Sequence, residues 1–293
     1  SRYVVVYNGE IYNHLLLRKE LNELSNYSIE WLGTSDTETI TVSLDYFGIE
    51  KTLQKCSGMF AIAIWDKSSR ILTLARDRIG EKPLYYGWVN NKFVFGSELK
   101  AIKQFPGFSN QISKIALVNY LHLNYVPAPL SIYDDLYKLT PGSFIELDTN
   151  QSEIQLSDLK SYWSLKETVK KNVSMPYKDE NFAVNELEQK LEKSISSQML
   201  SDVPLGAFLS GGIDSSLIVS LMQKNSMNPI KTFTIGFHDK SYDESLFAVN
   251  VSKHLGTDHT TINVSDADTM SVIAKLGLMY DEPFADSSQI PTF

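Results

Sequence analysis

The sequence predicts an α+β domain followed by an α/β domain that is built on a parallel sheet. Its 293 residues are enough for two domains at about 100–200 residues each. In the first part, short apolar runs follow one another without a helix between every pair, which indicates sheet pairing in an α+β domain. In the second part, strand and helix patterns alternate, which is typical of a parallel sheet with right-handed crossovers.

The composition is that of a folded, soluble protein and argues against several functional classes. Hydrophobic residues make up 43% of the chain and charged residues 21%, and no apolar run approaches the roughly 18 residues of a membrane span. A net charge of -8 argues against a nucleic-acid-binding surface but not against a phosphate ligand, which backbone amides can bind. The single cysteine, Cys56, excludes an intrachain disulfide and favours a reducing, cytoplasmic location. No signal peptide is visible, although Ser1 need not be the native start.

The first domain is predicted from four apolar runs and two helical patterns. The predicted strands are Tyr3–Tyr7, Met59–Trp65, Ile71–Ala75 and Lys92–Phe95. Apolar residues close to helical spacing predict a helix over Glu10–Leu24. Ser35–Glu38 has the form of a capping box and predicts that a second helix begins there. We interpret the adjacent charges of Arg76-Asp77-Arg78 as a salt-bridged framework rather than a site.

A polar stretch at about residues 148–181 marks the predicted domain boundary. The predicted domains are residues 1–165 and 181–293, joined by a linker at 166–180. An amphipathic helix from Val184 to Met199 opens the second domain. Its strands are predicted at Leu205–Leu209, Lys231–Phe237 and His259–Val264, and its further helices at Ile213–Met222 and Glu244–Leu255, the latter ended by Gly256.

The strongest motif lies between a predicted strand and a predicted helix and reads Leu209-Ser210-Gly211-Gly212-Ile213-Asp214-Ser215-Ser216. Adjacent glycines let a ligand approach the backbone, and the amides and dipole of the new helix favour an anion there. Hydroxyl groups of the three serines add donors, so the string predicts a phosphate cradle without a lysine; the Walker pattern is absent from the chain. The alternative is an ordinary strand-to-helix turn, which would be favoured for a bare Gly-Gly pair but not for the full string in this context.

This string resembles the S-G-G-x-D-S signature of the ATP-pyrophosphatase, or PP-loop, family. The resemblance implies an enzyme that cleaves ATP to AMP and pyrophosphate while it adenylates an oxygen of its substrate. It assigns pyrophosphate binding to Ser210, Gly211, Gly212, Asp214 and Ser215. It also implies that Asp214 helps to hold Mg²⁺, which prefers oxygen ligands. Main-chain groups of Leu209 and Ile235 would contact the adenine and ribose; the alternative is that both are only core strand residues.

Four further strings lie in the first domain. They are Tyr7–Asn13, Ser35–Glu38, Ala75–Tyr86 and Phe95–Lys100. Together they resemble the class II glutamine amidotransferase domain of the asparagine synthetase family, and essentially the whole chain fits that family in its order. The resemblance implies a partial α+β sandwich of the N-terminal-nucleophile type, followed by a partial α/β PP-loop domain.

Glutamine hydrolysis creates an oxyanion that preorganised donors must stabilise. The side-chain amide of Asn8 and the backbone N–H of Gly9 can supply two such donors. By resemblance, Glu10 and Asp36 act with these two residues to hold the amino-acid end of glutamine. The alternatives are a β-turn at Asn8-Gly9 and a helix cap at Asp36.

The nucleophile that the family uses is not found in this sequence. The family uses the cysteine at its mature N-terminus, several dozen residues before the Asn-Gly-Glu segment, whereas Ser1 opens this chain and seven residues precede Asn8. We interpret Cys56, at the entrance to a predicted core strand, as a small buried hydrophobic residue. The chain as given is therefore expected to be inactive as a glutaminase. Asp281–Ser288 resembles a synthetase segment near the active site, and the family continues well beyond it.

The intact enzyme is expected to be a carbon–nitrogen ligase, a glutamine-dependent asparagine synthetase. It would adenylate aspartate with ATP and attack the product with ammonia from glutamine, giving asparagine, glutamate, AMP and pyrophosphate. The expected cofactors are ATP and Mg²⁺ and the expected partners are small molecules, without nucleic acid or membrane and with a homodimer left open. One alternative is a related amidotransferase that acts on another carboxylate, such as a sugar acid of a surface polysaccharide. The other is a catalytically silent module that binds ATP and glutamine.

Overall fold

The structure is a computed structural model that describes residues 2–25, 29–150, 155–173, 176–177, 179–200, 203–237, 243–290 and 292. It divides into two compact units, each described here by itself. Unit 1 comprises Ser1–Met175 and Tyr280–Ala285, and unit 2 comprises Pro176–Met279 and Asp286–Phe293. Ser1 and parts of the predicted linker lie outside the described residues.

Within its described residues, unit 1 forms two antiparallel sheets and six helices. The strands are β1 Tyr3–Ile11, β2 Gly58–Asp66, β3 Ile71–Arg76, β4 Tyr85–Val89, β5 Lys92–Gly96, β6 Leu136–Lys138, β7 Ser143–Asp148, β8 Gln155–Leu156 and β9 Lys160–Ser161. The helices are α1 His14–Leu24, α2 Asp36–Phe47, α3 Ile49–Lys55, α4 Leu99–Ile102, α5 Lys114–Leu123 and α6 Leu165–Val173. One sheet has the order β1-β2-β3-β7-β8, with β9 also paired to β7, and the other has the order β5-β4-β6.

The two sheets of unit 1 lie face to face between two layers of helices. Alternate side chains of β2 point to opposite faces and enter different clusters. Phe60, Ile62 and Ile64 pack with buried residues of α1, α2 and α3, whereas Ala61 and Ala63 pack toward aromatic residues of β4 and β5. The other face of the three-stranded sheet packs against α4 and α5. Because β2 is buried on both faces, it appears in the sequence as a continuous apolar run.

The helix predicted over Glu10–Leu24 is wrong at its beginning. β1 continues through Glu10 and Ile11, which pair with Met59 and Gly58 of β2, and α1 begins at His14. Ile11 is 1% exposed within the core. Long-range pairing therefore overrides the helical spacing of the apolar residues. The other three strands predicted for this domain are confirmed to within one residue at each end.

The segment Tyr280–Ala285 belongs to unit 1, although it follows the helices of unit 2 in the chain. The N–H groups of the first two residues of α4 donate to the carboxylate of Asp281, at 2.7 and 3.1 Å. Glu282 accepts the N–H of Ile132 at 2.8 Å and forms an ion pair with Lys138. These bonds cap α4 and satisfy both acidic side chains of the segment within unit 1.

Unit 2 is an α/β unit with a parallel sheet of order β10-β11-β12. Its elements are α7 Glu180–Gln198, β10 Gly206–Phe208, α8 Ile213–Lys224, β11 Lys231–Phe237, α9 Ser245–Leu255, β12 Asp258–Val264 and α10 Asp266–Met279, followed by a short 3₁₀ helix at Ser287–Gln289. The predicted alternation of strands and helices is confirmed, and Gly256, with a φ of 70°, ends α9 as predicted. Among the described residues, no helix is long and apolar enough to cross a bilayer.

Candidate functional site

Asn8 lies in β1 beside a small cavity. Its Nδ2 donates to Ser97 Oγ at 2.9 Å, and both residues line a cavity of about 90 Å³. Ala61, Leu84 and Phe95 contribute apolar parts of the lining. A side-chain amide that is held in place by a hydrogen bond is a preorganised donor for a developing negative charge.

Gly9 follows Asn8 within β1, so the alternative of a β-turn at these residues is wrong. A Cβ atom on Gly9 would lie 2.1 Å from Met59 O, so only glycine permits this approach of β1 to β2. Phe60, which pairs with Gly9, uses its N–H and C=O for Asp77 instead, at 3.1 and 2.8 Å. Because main-chain groups alternate in direction along an antiparallel strand, the N–H of Gly9 is directed away from β2. It therefore points toward the outer side of β1, the end strand of this sheet among the described strands.

Asp36 is the first residue of α2 and is only 9% exposed. Its Oδ2 accepts the Tyr7 hydroxyl at 2.7 Å and the Ile11 N–H at 2.9 Å. Burial and this hydrogen bond raise the pKa of Tyr7, so the phenol remains a donor. The N-cap of α2 is Ser35, whose Oγ accepts the Thr37 N–H at 3.2 Å. The alternative role of Asp36 as the helix cap is therefore wrong.

Three of the four predicted glutamine-binding residues, Asn8, Gly9 and Glu10, follow one another in β1, and the fourth, Asp36, begins α2. Tyr7 reaches Asp36 on the face that the helices cover, whereas Asn8 lines the cavity on the opposite face. Glu10 lies in β1 opposite Met59, and of the four predicted residues only Asn8 lines the cavity. The structure thus gathers these residues around the second half of β1 without enclosing them in a single pocket.

Cys56 follows α3 and is buried in the apolar core at 3% exposure. Burial raises the pKa of its thiol to about 12. Since the thiolate is the reactive form, this group is not a nucleophile at neutral pH. The interpretation of Cys56 as a small buried hydrophobic residue is confirmed.

The salt-bridged framework predicted at Arg76-Asp77-Arg78 is wrong, because all three side chains bond to the main chain. Asp77 is fully buried. Its carboxylate accepts the N–H groups of residues 79, 80, 81 and 82 at 3.2, 2.6, 2.9 and 2.9 Å, in that order, and that of Phe60 at 3.1 Å. Arg76 donates to three carbonyl groups and Arg78 to two. The bond to Phe60 ties this loop to the strand opposite Gly9, a role that the sequence does not reveal.

The capping box predicted at Ser35–Glu38 is confirmed only at the serine. The Glu38 carboxylate does not complete the box but turns to the loop before it and accepts the N–H groups of Leu32 and Gly33, at 2.8 and 3.0 Å. Arg18 of α1 donates to the same loop. Sequence reasoning missed this arrangement, because only the packing of α1 on α2 brings Arg18 to the loop.

In unit 2, the predicted phosphate cradle connects β10 to α8. The hydroxyls of Ser210 and Ser215 lie 3.0 Å apart, and the Gly212 N–H donates to Ser210 Oγ at 3.3 Å. The Ser215 hydroxyl also donates to the Gly212 carbonyl at 3.3 Å. The loop is therefore held in a turn by its own hydroxyl groups at the start of a 12-residue helix. The N–H groups and the dipole of that helix favour an anion at this position.

The two glycines of the loop serve different purposes. Gly211 has a φ of 80°, and a Cβ atom there would lie 2.6 Å from Phe247 Cβ and 2.8 Å from Ala248 N. Gly211 thus permits α9 to pack against the loop. A Cβ atom on Gly212 would meet only Ser210 Oγ, at 3.3 Å, so this residue leaves open space in front of the loop.

Asp214 lies exposed in the first turn of α8. No group of three or more His, Cys, Asp or Glu side chains within the described part of the chain is arranged to hold a metal ion. Mg²⁺ needs no such group, because it keeps several waters and binds through one or two carboxylates together with phosphate oxygens. An exposed carboxylate beside an open anion-binding loop therefore fits this ion.

Leu209 and Ile235 both belong to the sheet region of unit 2. Leu209 is 1% exposed, its N–H donates to Phe233 O at 2.9 Å, and its carbonyl accepts the Thr234 hydroxyl. Ile235 lies in β11 and pairs with Ile262 of β12. Their main-chain role toward adenine and ribose remains a prediction.

Two family models match the chain in succession. A model described as a glutamine amidotransferase domain matches residues 1–163, and one described as asparagine synthase matches residues 186–293. The first match covers more than half of the chain and places it in the class of proteins with a glutamine amidotransferase domain. With both models in this order, the chain belongs to the asparagine synthetase (glutamine-hydrolysing) family.

Individual relatives agree with these matches. The chain is 36% identical over 294 residues to a putative asparagine synthetase [glutamine-hydrolyzing] 2 of Methanocaldococcus jannaschii, covering 99% of this chain and 54% of that protein. It is 34% identical over 291 residues to asparagine synthetase [glutamine-hydrolyzing] 1 of Bacillus subtilis, covering 99% and 44%. A Penicillium rubens protein named amidase chyE is 29% identical over 267 residues, covering 86% and 38%. The chain thus spans about half the length of the first two relatives.

Proposed function

We propose that this chain provides the glutamine-binding and ATP-binding elements of a glutamine-dependent asparagine synthetase. One observation carries the proposal: the same chain holds an amide donor pair at Asn8 and Gly9 and a lysine-free anion loop at Ser210–Ser215. The first suits a tetrahedral oxyanion, and the second suits pyrophosphate. An enzyme that uses glutamine as its amide source and ATP as its driving force needs both elements.

In the amidotransferase half-reaction, the amide carbon of glutamine becomes tetrahedral and its oxygen becomes an anion. Asn8 Nδ2 and the Gly9 N–H donate to that oxygen. The first is held by Ser97, and the second is directed to the outer side of β1 by its pairing. The carboxylate of Asp36 accepts hydrogen bonds from the α-ammonium group of glutamine, with Glu10 nearby on β1. The half-reaction consumes one water, and its products are glutamate and ammonia.

In the synthetase half-reaction, a carboxylate oxygen attacks the α-phosphorus of ATP and pyrophosphate leaves. The N–H groups at the start of α8, with Ser210 and Ser215, bind the leaving pyrophosphate, and the open space at Gly212 admits its oxygens. Asp214 would hold Mg²⁺, which when bound neutralises charge on the leaving group. Main-chain groups of Leu209 and Ile235 contact the nucleoside. Ammonia then attacks the acyl adenylate, which forms the amide and releases AMP.

The order of layers in unit 1 supports a sandwich of the N-terminal-nucleophile type, and the loop of unit 2 supports a PP-loop domain. The predicted boundaries, with domains at 1–165 and 181–293 and a linker at 166–180, are part of the proposal. So is a cytoplasmic location, which rests on the single buried thiol of Cys56.

Aspartate is the proposed acceptor, and a different carboxylate is the second candidate. The match to a relative that is named an amidase rather than an asparagine synthetase favours keeping this alternative. The test uses the product of the complete reading frame that encodes this chain. Pyrophosphate release is measured with MgATP, ammonia and a panel of carboxylates, beside glutamate release from glutamine.

We expect glutamate release from glutamine, and pyrophosphate release that requires aspartate. Pyrophosphate release with another carboxylate alone would replace aspartate by the second candidate. The absence of both activities in a folded protein would refute the proposal.

A further inference from the structure

Arg18 of α1 lies beneath the loop that precedes α2, with a side chain that is 12% exposed. Its Nε donates to Thr39 Oγ1 at 2.7 Å, its Nη1 to Gly33 O at 2.7 Å and its Nη2 to Ser35 O at 2.8 Å. The guanidinium also stacks on the Trp31 ring, 4.3 Å from its centroid. One planar group with five donors thus joins α1 to the first turn of α2 and to two carbonyls of the loop.

Glu38 fixes the same loop from the side of α2. Its two carboxylate oxygens accept the N–H groups of Leu32 and Gly33, and Oε2 also lies 3.4 Å from Arg18 Nη2. These N–H bonds lower the pKa of Glu38, so the carboxylate stays ionised at neutral pH. The main chain of residues 32–35 is therefore held on its N–H side by Glu38 and on its C=O side by Arg18.

Asp36 directly follows the Ser35 carbonyl that Arg18 binds. Its Oδ2 is committed to Tyr7 and Ile11 of β1. Within the described residues, its Oδ1 accepts only a long bond of 3.4 Å from Thr37 Oγ1. Oδ2 of Asp36 is thus fixed by β1, whereas Oδ1 can accept a further hydrogen bond. The direction in which Oδ1 points depends on the main chain at Ser35, which Arg18 holds.

We propose that Arg18 is a positioning residue for recognition of the α-ammonium group of glutamine. It holds the Gly33–Ser35 main chain so that Asp36 presents its second oxygen to the substrate. This inference rests on the proposed function, in which Asp36 binds that ammonium. Three contacts of the guanidinium go to the loop and the first turn of α2, and α1 is anchored in the core independently by Leu17 and Leu21. Arg18 therefore acts on the loop rather than on the packing of its own helix.

The test compares glutamine with glutaramic acid, which is glutamine without its α-amino group. Glutamate or glutarate release is measured with the product of the complete reading frame, and kcat/KM is determined for both substrates. Arg18→Met should reduce the preference for glutamine about tenfold or more, mainly through KM, because displacement of a binding group by about 1 Å can cost up to 100-fold. The preference of Arg18→Lys for glutamine should lie between that of the wild type and that of Arg18→Met, because an ammonium group reaches fewer of the three acceptors. Ammonia-dependent pyrophosphate release should be retained in every variant.

Lys19→Met is the matched control, since Lys19 is the next residue of the same helix, with a side chain that is 75% exposed. It should leave the substrate preference unchanged. A general loss of stability would lower both kcat/KM values together, so a preference that stays at the wild-type value in Arg18→Met and Arg18→Lys overturns the inference. Combining Arg18→Met with Asp36→Asn should add little to the effect of Asp36→Asn alone, because both changes act through the same carboxylate.

The experiment distinguishes failure of the inference about Arg18 from failure of the proposed role of Asp36. If Asp36→Asn abolishes the preference for glutamine but the Arg18 variants keep it, only the inference about Arg18 is refuted. If Asp36→Asn also keeps the preference, the assignment of Asp36 fails and the inference fails with it. If Arg18→Met does not fold, Arg18→Lys decides by the same criterion.

Discussion

Replacement of the two adjacent glycines of the anion loop should affect different properties: Gly211→Ala should lower stability, and Gly212→Ala should weaken MgATP binding. In Gly211→Ala, the left-handed φ costs about 1–2 kcal/mol. The new Cβ would also lie 2.6 Å from Phe247 Cβ, so α9 must move by several tenths of an ångström or more. Overpacking of this kind costs about 1–3 kcal/mol. A loss of roughly 2–5 kcal/mol is large beside a total stability of about 5–15 kcal/mol.

Gly212→Ala should behave differently, because a Cβ atom there meets only Ser210 Oγ at 3.3 Å and φ is −70°. The fold should tolerate it, but the methyl group enters the space in front of the loop that we assign to phosphate. Gly212→Val should abolish MgATP binding, and Gly212→Ala should weaken it. The two replacements therefore separate a packing role from a ligand-binding role within a single dipeptide.

Scanning calorimetry and titration calorimetry with MgATP test this pair. Since about 1 kcal/mol moves the midpoint of a domain of about 100 residues by about 4–8 °C, Gly211→Ala should lower the midpoint of unit 2 by about 8 °C or more. Gly212→Val should leave that midpoint near the wild-type value while it removes MgATP binding. A wild-type midpoint in Gly211→Ala would refute the packing argument, and wild-type affinity in Gly212→Val would remove the phosphate site from this loop.

Three further predictions concern single side chains. Asn8→Ala should lower glutamate release by about 10²–10³, the usual effect of losing one oxyanion donor; loss of ammonia-dependent pyrophosphate release in the folded variant would contradict the division into two sites. Asp214→Asn should impair pyrophosphate release more than glutamate release, since it weakens only Mg²⁺ and pyrophosphate binding; equal losses in both assays would argue against this role. Cys56, with a pKa raised to about 12, is a neutral thiol at pH 8 and should react with a thiol reagent only after denaturation. Rapid reaction of the native protein would show that the thiol is accessible.

Unit 2 could be predicted closely from the sequence because its signals are local. Its short β-rich runs alternate with helical patterns along the chain, and β11 begins and ends at the predicted residues. Gly256 marks the end of α9 through a left-handed conformation that glycine favours. In unit 1, β2 is equally clear in the sequence, since a strand that is buried on both faces appears as a continuous apolar run.

The errors in unit 1 arise where groups outside the matching sequence pattern decide the local structure. Ile11 fits a helical pattern with later leucines, but pairing with Gly58 keeps it in the strand. Glu38 fits a capping box, but the N–H groups of Leu32 and Gly33 compete for its carboxylate. In both cases the sequence matches the pattern, but the contact that forms in the folded chain is more favourable than the one that the pattern predicts.

Buried and half-buried charges around the proposed glutamine site bond mainly to main-chain groups, even where two of them also pair, as Arg18 and Glu38 do. Asp77 gathers five N–H groups, and Arg76 and Arg18 each bind carbonyls from loops that are distant in the chain. Such bonds place a full charge against many partial charges, which offsets the cost of desolvation without requiring a second buried ion. They also fix the main chain in more than one direction, which a single ion pair cannot do. Because Gly9 and Asp36 depend on main-chain position for their proposed roles, these charges set the geometry of the site without contacting the substrate.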